Sequence, residues 1–296
     1  MKKLFLTAVS MLVLSASISA QSNWGLRSGI GVEKKITKGL DAGVEAKYYQ
    51  TDNFKNTDRW SIGLSLDKRL YRNEAKTFTV KAGLGYKYMN VYHSWSTKYK
   101  DDDEGIENKL EPQFYLDNEL DFNLKDSYVD DRHRVTASLQ AGWEVGRFKI
   151  SMRETYQFTH TDSVSYNVDK YRFEDGQTNW VNKGYSKHTY FVGSEERAYY
   201  TRNDISGKSG SNKNVLRSKV SLDYDIPHWK YDPFVSYELF HGLDNGFTAQ
   251  KSRLTAGVEF SFNKMHNFEV AYMWQNQHDD DEPAGSFICL SYKFDF

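Results

Sequence analysis

The chain ends with residues 285–296, GSFICLSYKFDF, in which two kinds of residue alternate. The even positions from Ile288 to Phe296 are apolar or aromatic, whereas the odd positions from Cys289 to Asp295 are small or charged. Because successive side chains of a strand point to opposite faces, this period of two predicts a β-strand with one apolar and one polar face. Free termini are usually poorly ordered, so a terminus that ends on a bulky apolar residue needs a structure that holds it.

The same alternation recurs along the chain and predicts an all-β protein, because no helical period stands out. Many of the predicted strands reach the about 9–11 residues that a tilted strand needs to cross a bilayer, while strands of globular proteins have about 5–6. Eleven strands are predicted, over residues 24–34, 40–51, 59–71, 77–95, 132–146, 147–160, 214–227, 231–241, 251–263, 266–277 and 286–296.

Composition narrows the class of protein. Aromatic residues make up 16% of the 296 residues, yet the mean hydropathy is −0.73, so the apolar residues are few and large. Disordered chains are also polar, but they are poor in aromatic residues. The net charge of −1 provides no field that would attract nucleic acid, and no such partner is expected. The single cysteine, Cys289, cannot form an internal disulfide.

Residues 1–20 are predicted to be a secretory signal peptide. Lys2 and Lys3 precede a short apolar stretch from Leu4 to Leu14, and Ala20 closes a segment of small residues. The alternative is a membrane anchor helix, but the apolar core is shorter than the about 20 residues that a span requires. The protein is therefore expected to be exported, with residues 21–296 as a single domain.

The connections between the predicted strands alternate between short and long. This layout is typical of a transmembrane antiparallel up-and-down β-barrel in the outer membrane of a Gram-negative bacterium, with short periplasmic turns and long extracellular loops. Residues 21–296 are predicted to form such a porin-like barrel. The short connections lie near 37–39, 73–76, 146–147, 227–231 and 263–266, and the longer ones at 52–58, 96–131, 161–213, 242–250 and 278–285.

A soluble β-sandwich or lipocalin-like barrel would alternate as well. Three features favour the membrane barrel over these. The strands are long, the polar face is rich in Gly, Ser and Thr beside charges of both signs, and aromatic residues such as Tyr86, Trp95 and Trp274 collect toward strand ends. A confined polar lumen suits small side chains, and Tyr and Trp favour membrane interfaces.

A barrel in lipid must close, because unpaired backbone groups at an open sheet edge are costly in hydrocarbon. Residues 286–296 are therefore expected to pair with the first strand. Single-chain bacterial barrels have even strand numbers, so about 12 strands are expected, with 10 as the alternative. Residues 113–124, QFYLDNELDFNL, also alternate, and they could add a wall strand or a strand of an extracellular hairpin.

Three stretches and the closing strand resemble a bacterial outer-membrane barrel family known as a domain of unknown function. The stretches are RHRVTASLQAGWEVGRFKISMRETYQF (132–158), RSKVSLDYDIPHWKYDPFVSYELF (217–240) and SRLTAGVEFSFNKMHNFEVAYMWQNQ (252–277). The resemblance covers residues 132–296 best and implies fold and location, but no activity. Phe296 resembles the terminal signal by which the barrel assembly machinery recognises its substrates. This machinery, outer-membrane lipid and lipopolysaccharide are the partners that the resemblance implies.

The alternation predicts that many charged side chains line the lumen. One interpretation is a polar pore with a selectivity pattern, and the other is a structural network of ion pairs that fills a small lumen. The structural network is favoured, because the two signs are mixed evenly along the chain. The candidate lumen residues are Lys81, Lys87, Arg134, Glu144, Arg153, Glu238, Arg253, Glu259 and Lys293.

Glu154 interrupts the pattern, because it falls in the apolar register of Ile150, Met152 and Tyr156. A charge that faces the middle of a bilayer costs up to a few kcal/mol. A bulge that shifts the local register is the favoured explanation. A pair with Arg153 or with a neighbouring strand is the alternative.

No nucleophile elbow, metalloprotease helix or metal-ligand spacing occurs, so the sequence predicts no catalytic residue, no metal site and no cofactor. The acidic runs 101–104 and 279–282 lack the spacing of a calcium loop, so solvated loop charge is the favoured interpretation. Binding of Ca²⁺ or Mg²⁺, bridging to lipopolysaccharide phosphates, is the alternative. A role as a small channel or a structural barrel is predicted, with a small solute as its ligand, and an enzyme is not expected.

Loops 96–131 and 161–213 are unusually long, and the second is rich in aromatic residues. Long loops in compact domains are often functional, and aromatic side chains anchor partners. Capture of a ligand or glycan at the cell surface through these loops is therefore the alternative function, with a lipid-modifying enzyme third. A loop that packs on itself over the barrel mouth is the simpler interpretation.

Overall fold

The computed structural model describes residues 24–100, 110–173, 179–192, 194–227, 229–244, 246–277 and 284–296. The predicted signal peptide and both acidic runs, 101–104 and 279–282, lie outside these residues. The chain divides into two compact units. The first contains the described residues up to Val91, Asp131–Thr161 and Asn212–Phe296, and the second contains those of Tyr92–Asp130 and Asp162–Ser211. No helix within the described ranges is long and apolar enough to cross a membrane.

Strands dominate both units. In chain order the elements are β1 (Trp24–Thr37), β2 (Leu40–Thr51), β3 (Asn56–Arg72), β4 (Phe78–His93), β5 (Ser96–Tyr99), helix α1 (Pro112–Asp117), β6 (Phe122–Lys125), β7 (Tyr128–Val145), β8 (Phe148–Thr161), β9 (Val164–Phe173), a 3-10 turn (Val181–Lys183), β10 (Ser186–Val192), β11 (Glu195–Lys208), β12 (Ser211–Tyr224), β13 (Tyr231–Gly242), β14 (Thr248–Phe262), β15 (His266–Gln277) and β16 (Gly285–Asp295).

The first unit is a closed barrel of eleven strands in the order β1-β16-β15-β14-β13-β12-β8-β7-β4-β3-β2. All eleven wall strands were predicted from the period of two. Their apolar positions point outward and are exposed, as in Ile30 at 65%, Leu84 at 61% and Leu139 at 54% of full exposure. The positions between them point into the barrel. A wall that is apolar outside and polar inside follows directly from the alternation.

The wall closes by parallel pairing of β1 with β16, from Trp24 opposite Ser286 to Glu33 opposite Asp295. When neighbouring strands reverse direction around a wall of eleven, the eleventh strand again runs in the direction of the first, so the seam must be parallel. The barrel class is confirmed, and eleven strands are close to the expected 12. The parity argument for an even number was wrong for this chain, because a parallel seam closes an odd number.

Residues 113–124 are not part of the wall. Pro112 lies in the first turn of α1, where its missing N–H costs nothing, and Tyr115 on that helix is fully buried. Residues Phe122–Lys125 form the short strand β6, which belongs to the second unit. The alternation in 113–124 spans a short helix and the beginning of a short strand. An alternating run of this length does not distinguish these elements from a wall strand.

Tight turns join the strands at one end of the barrel, which we call the turn end. Gly39 and Gly146 have φ of 79° and 62°. This left-handed region favours glycine, because a Cβ would clash with the backbone there. Asn263 and Lys264, between β14 and β15, have φ of 53° and 59°. At the opposite end, the loop end, the connection predicted as a longer loop at 52–58 is only four residues, because β3 begins at Asn56.

Glu154 points outward without any slip of the register. Residues of β7 and β8 pair without a shift from Arg132 opposite Thr161 to Val145 opposite Phe148, so the expected bulge is absent from this hairpin. Instead the Ser218 hydroxyl of the neighbouring strand β12 donates a hydrogen bond of 2.7 Å to the Glu154 carboxylate. The alternative prediction, a partner on a neighbouring strand, is therefore the one that the structure supports.

The last residue, Phe296, is held by contacts with β1 across the seam and by the ring of Phe294. The Phe296 N–H donates to the Glu33 carbonyl at 3.0 Å, and the Lys35 N–H donates to the Phe296 carbonyl at 3.3 Å. The Phe296 ring stacks on Phe294 with 5.8 Å between centroids, and the Lys34 ammonium lies 5.0 Å from the Phe296 ring centroid. These contacts fix a terminus that would otherwise fray.

The second unit is built from the two long connections that were predicted as loops. Its five-stranded sheet has the order β10-β11-β9-β6-β5, and its core contains Tyr99, Tyr115 and Phe122. A second cluster contains Trp180, Tyr185, Ala198 and Tyr200. A hydrogen bond from the Arg197 guanidinium holds the pKa of Glu119 below its usual range. The aromatic residues of these segments therefore pack mainly with one another.

We expect the parallel seam to be detectable by cross-linking in a Cys289→Ser background. Leu26→Cys with Ile288→Cys, and Ile30→Cys with Tyr292→Cys, should form disulfides on mild oxidation, because each pair is opposite in register. The control pair Leu26→Cys with Tyr292→Cys is offset by four residues, or about 13 Å. An antiparallel seam would favour the control pair instead, which gel mobility before and after reduction would reveal.

We expect Phe122→Ala to unfold the second unit while the barrel persists. The Phe122 side chain is fully buried, and truncating a buried Phe typically costs about 3–5 kcal/mol. Phe114→Ala is the control, because Phe114 is 42% exposed on the adjacent helix. Limited proteolysis should cut Phe122→Ala within 92–130 and 162–211 while heat-modifiable gel migration of the barrel is retained. Loss of heat-modifiable migration would show that the barrel depends on the second unit for its stability.

Candidate functional site

The interior of the barrel contains a cavity of about 750 Å³. Inward-facing residues of all eleven wall strands line it, so the cavity is the lumen of the closed wall. Its volume lies within the range of small-molecule sites, about 300–1,000 Å³. One charged lining residue per strand is Glu33, Glu45, Asp67, Lys87, Arg134, Arg153, Lys219, Glu238, Glu259, Glu269 and Lys293, in chain order.

Inward-facing glycines leave space in the lumen beside β1 to β4. A Cβ added to Gly83 would lie 2.7 Å from both Asp67 Oδ1 and Ser138 Oγ, and one added to Gly85 would lie 2.6 Å from Thr136 Oγ1. Both distances are too short for real contacts. Glycine at these positions therefore allows polar groups of the neighbouring strands to occupy the space that side chains would fill.

Two groups of ion pairs cross the lining of the cavity. Glu45 lies between two ammonium groups, 2.8 Å from Lys47 Nζ and 2.7 Å from Lys87 Nζ. Nearer the turn end, Lys293 Nζ lies 2.9 Å from Glu33 and 3.5 Å from Asp295. In each group a charge of one sign lies between charges of the other sign.

Toward the loop end, hydrogen bonds and one ion pair join side chains of six strands along the inner wall. The Gln275 amide oxygen accepts from Arg27 at 3.0 Å and from Arg253 at 2.7 Å. Arg253 lies 3.8 Å from Glu238, and Arg217 donates to the same carboxylate at 2.7 Å. Arg217 also donates to the Gln157 amide oxygen at 3.3 Å.

Aromatic rings and two further arginines extend these contacts around the rest of the wall. The guanidinium carbons of Arg27 and Arg59 lie 5.5 Å and 5.6 Å from the centroid of the Tyr49 ring. On the other side, Arg134 Nε donates to Thr159 Oγ1 at 3.1 Å. We call the following inward-facing side chains the arginine collar: Arg27, Tyr49, Arg59, Arg134, Gln157, Arg217, Glu238, Phe240, Arg253, Gln275 and Phe287.

Several side chains of the arginine collar are deeply buried. Gln275, Phe287, Phe240 and Arg59 are between 1% and 5% exposed, although they point toward the barrel axis. The Phe287 ring lies 4.2 Å from the Arg27 guanidinium carbon. Side chains this buried are covered by neighbouring groups, such as the rings and guanidinium groups of adjoining strands.

Charged side chains of both signs line the lumen toward the turn end, whereas arginine predominates in the collar. The collar contains five arginines and one carboxylate by its definition, and Asp58 lies 2.7 Å from Arg59. Toward the turn end, carboxylates lie directly opposite one another in the register, Glu259 opposite Glu269 and Asp67 opposite Asp41.

The nine predicted lumen residues fall at three levels of the barrel. Arg253 belongs to the collar, while Lys81 and Glu144 pair in register with Arg69 and Lys149 near the turn end, away from the cavity lining. The other six line the cavity, and two of these, Arg134 and Glu238, also belong to the collar. The six are Lys87, Arg134, Arg153, Glu238, Glu259 and Lys293.

The sequence interpretation missed most of the collar. Arg27, Arg59 and Arg217 occupy the polar parity of their strands, so the alternation contained a signal for each. Gln157 and Gln275 share that parity, but uncharged amides were not singled out. The pattern within one strand does not show the height of a residue along the barrel axis relative to residues of other strands. That height depends on the stagger between strands.

No group of three or more His, Cys, Asp or Glu side chains that could hold a metal ion occurs in the described part of the chain. The polar groups of the lumen instead suit a ligand or ion that binds through hydrogen bonds and charge.

A closed wall with a polar interior and an apolar exterior defines a β-barrel whose polarity is the reverse of that of a water-soluble barrel. The chain belongs to the family described as "Protein of unknown function (DUF2490)", whose model matches residues 24–284. No curated protein matches the chain at a significant level.

Two solved structures show weak likeness to the chain. The β domain of the Bordetella autotransporter BrkA is 10% identical with a TM-score of 0.38, and the match covers 87% of this chain and 82% of that one. OmpT, an outer membrane protein of Vibrio cholerae in its trimer form, is 9% identical with a TM-score of 0.20, covering 90% and 92%. Likeness at this level carries no argument about activity.

Proposed function

We propose that this protein is an outer-membrane β-barrel that conducts small polar solutes through a narrow lumen, and that its role is transport rather than catalysis. The observation that carries the proposal is a closed wall with a continuous apolar exterior around a polar cavity of about 750 Å³. The wall suits lipid, and the cavity suits solutes of small-molecule size.

The exterior supports the membrane location. Soluble monomers rarely expose an apolar patch larger than a few hundred Å². Here exposed apolar residues recur on one strand after another around the wall. Aromatic residues lie toward the strand ends, where membrane barrels have their girdles. Examples of exposed apolar residues on different strands are Ile30, Val44, Leu64, Leu84, Leu139, Ile150, Val220, Tyr237, Phe262, Val270 and Leu290.

The backbone also fits a lipid environment. An open edge in hydrocarbon would leave N–H and C=O groups without partners. The β1–β16 seam pairs ten residues of each strand, so the wall has no long open edge. In barrels of this class short turns face the periplasm. The turn end would then be periplasmic, with the connections after β4 and β8 leaving the barrel on the extracellular side. Lipid, lipopolysaccharide and the assembly machinery are the partners in this proposal.

A second candidate function is surface binding by the unit formed from the long connections. One observation favours it: Phe191 is 71% exposed on β10, an outer strand of the five-stranded sheet. An exposed edge strand can accept a strand from a partner. However, Trp180, Tyr185 and Tyr200 are buried within the unit, so most of the aromatic residues that suggested ligand capture serve its core.

We expect the cost of an outward-facing charge to depend on depth along β7. Leu139 and Val145 are both outward and exposed, but they lie six residues, or about 20 Å, apart. Leu139→Arg should lower the free energy of unfolding in phospholipid vesicles by about 2–4 kcal/mol, and Val145→Arg, near the turn end, by about 0–1 kcal/mol. Equal and small effects in urea titrations would contradict a bilayer around this wall.

We expect the lumen to carry the current in planar bilayers. In a Cys289→Ser background, Ser65→Cys faces the cavity and Leu64→Cys faces outward on the same strand. A bulky cationic thiol reagent should reduce the single-channel current of Ser65→Cys by half or more and leave that of Leu64→Cys unchanged. A barrel that inserts but passes no current at any voltage would sink the channel proposal.

A further inference from the structure

We propose that a groove on the outer face of the wall, across the β1–β16 seam, binds one acyl chain of a zwitterionic phospholipid. The groove has a volume of about 610 Å³, and we call it the seam groove. The inference goes beyond transport, because it gives the exterior a lipid site of its own. It rests on the membrane location in the proposed function, but not on conduction.

The seam groove is a valley between two rows of outward side chains. Residues of the upper row lie opposite one another in register across five strands: Trp60, Tyr48, Ser28, Leu290 and Val270. The lower row lies two residues nearer the turn end and reaches a sixth strand: Ile62, Ala46, Ile30, Tyr292, Phe268 and Phe260. The residues between the rows point into the barrel, so their backbone forms the floor.

Short side chains at two positions open the valley. Ser28 lies between Tyr48 and Leu290 in the upper row, and Ala46 lies between Ile62 and Ile30 in the lower row. The Ser28 hydroxyl donates to the Tyr48 carbonyl at 3.4 Å, so its one donor is used within the wall. Small residues flanked by large ones leave a volume on the exterior that the wall itself does not fill.

The dimensions of the groove decide which kind of molecule fits. Rows two residues apart on a strand are separated by about 7 Å, whereas an α-helix with its side chains is about 10–12 Å wide. A helix therefore lies over the rows rather than between them. An acyl chain is a single file of methylene groups and is narrow enough to enter. Six strands at a spacing of about 4.8 Å give it about 24 Å of groove along which to extend.

The lining matches hydrocarbon. All side chains of the two rows are uncharged, and Lys47 on the floor points into the lumen, where it pairs with Glu45 at 2.8 Å. The groove is continuous with the apolar exterior of the transmembrane wall, so acyl chains are the molecules that reach it. In hydrocarbon the favourable term is van der Waals contact, which a chain held between two rows makes on both sides.

Neutral polar groups lie on the loop-end side of the groove. The Tyr48 hydroxyl lies 2.7 Å from the Thr57 hydroxyl and accepts from the Gln50 amide at 3.4 Å. The Trp60 ring, opposite Tyr48, is 39% exposed, and Trp and Tyr favour the membrane interface. These groups can hydrogen-bond a headgroup without a net charge. Lipopolysaccharide is less suitable, because its phosphates are bound best by Arg or Lys.

The test uses the full mature chain, refolded in detergent and reconstituted into phosphatidylcholine vesicles. Ser28→Leu with Ala46→Leu fills the groove with apolar side chains. The matched control is Ala137→Leu with Ala141→Leu, because both alanines face outward on β7, away from the groove. Heat-modifiable migration verifies folding, and flotation with the vesicles verifies insertion. If the groove variant does not fold, Ala46→Leu alone replaces it.

After extraction into a mild detergent, native mass spectrometry should show one phosphatidylcholine on most wild-type barrels. The retained fraction should fall fivefold or more in the groove variant and less than twofold in the control. A phosphatidylcholine with a photoreactive diazirine on one acyl chain, added before extraction, should label peptides that contain Ile30, Ile62 or Leu290 in the wild type only.

Three results would overturn the proposal. The first is a wild type that retains no lipid, or one whose retained lipid labels Leu139 as strongly as Ile30. The second is retention of lipopolysaccharide in place of phosphatidylcholine from mixed vesicles. The third is a lipid-free dimer that dissociates in the groove variant, which would identify a second copy of this chain as the occupant.

The outcomes also separate the seam groove from the channel. Planar-bilayer current should be the same in the wild type and the groove variant, because the substituted side chains face away from the lumen. Retained lipid on a barrel without current would support the groove and contradict transport. Current through a barrel that retains no lipid would support transport and overturn the groove.

Discussion

The parallel pairing of β1 with β16 is the interaction on which the rest of the barrel depends. Without it, two long strands would each leave a row of backbone groups unpaired, and the apolar exterior could not exist in lipid. The pairing also joins the two ends of the sequence. Through it Phe296 is hydrogen-bonded to Glu33 and Lys35, and Lys293 reaches Glu33 at 2.9 Å. Closure thus creates the lumen and also orders its turn end.

Closure confines the inward and outward side chains of the wall to two environments with opposite demands. Outside, Glu154 is tolerated because Ser218 on the next strand donates to it. Inside, glycines make space, and carboxylates such as Glu45 lie between cations. In the arginine collar, carboxylates, amides and aromatic rings contact the guanidinium groups.

Individual elements show where sequence reasoning succeeds and where it fails. The strands from 132–146 to 286–296 were predicted because a half-buried strand has only one strong constraint, its period of two. Residues 113–124 also alternate, yet they form α1 and β6, because short apolar runs fit a helix or a strand equally well. The expectation of an even strand number was wrong, because the barrel has eleven strands. The position of Glu154 suggested a bulge, but β7 and β8 pair without a shift. Each of these errors concerned a partner in space, which local periodicity does not specify.

The sequence by itself determined an all-β chain, the position of every wall strand and which side chains face the lumen, since all three follow from the alternation of side chains along a strand. Only the tertiary structure decided the parallel seam, the compact second unit and the gathering of Arg27, Arg59, Arg134, Arg217 and Arg253 at one level. The physical reason is stagger: neighbouring strands shift along one another as the barrel closes. That shift, which no single strand encodes, brings distant residues to the same height.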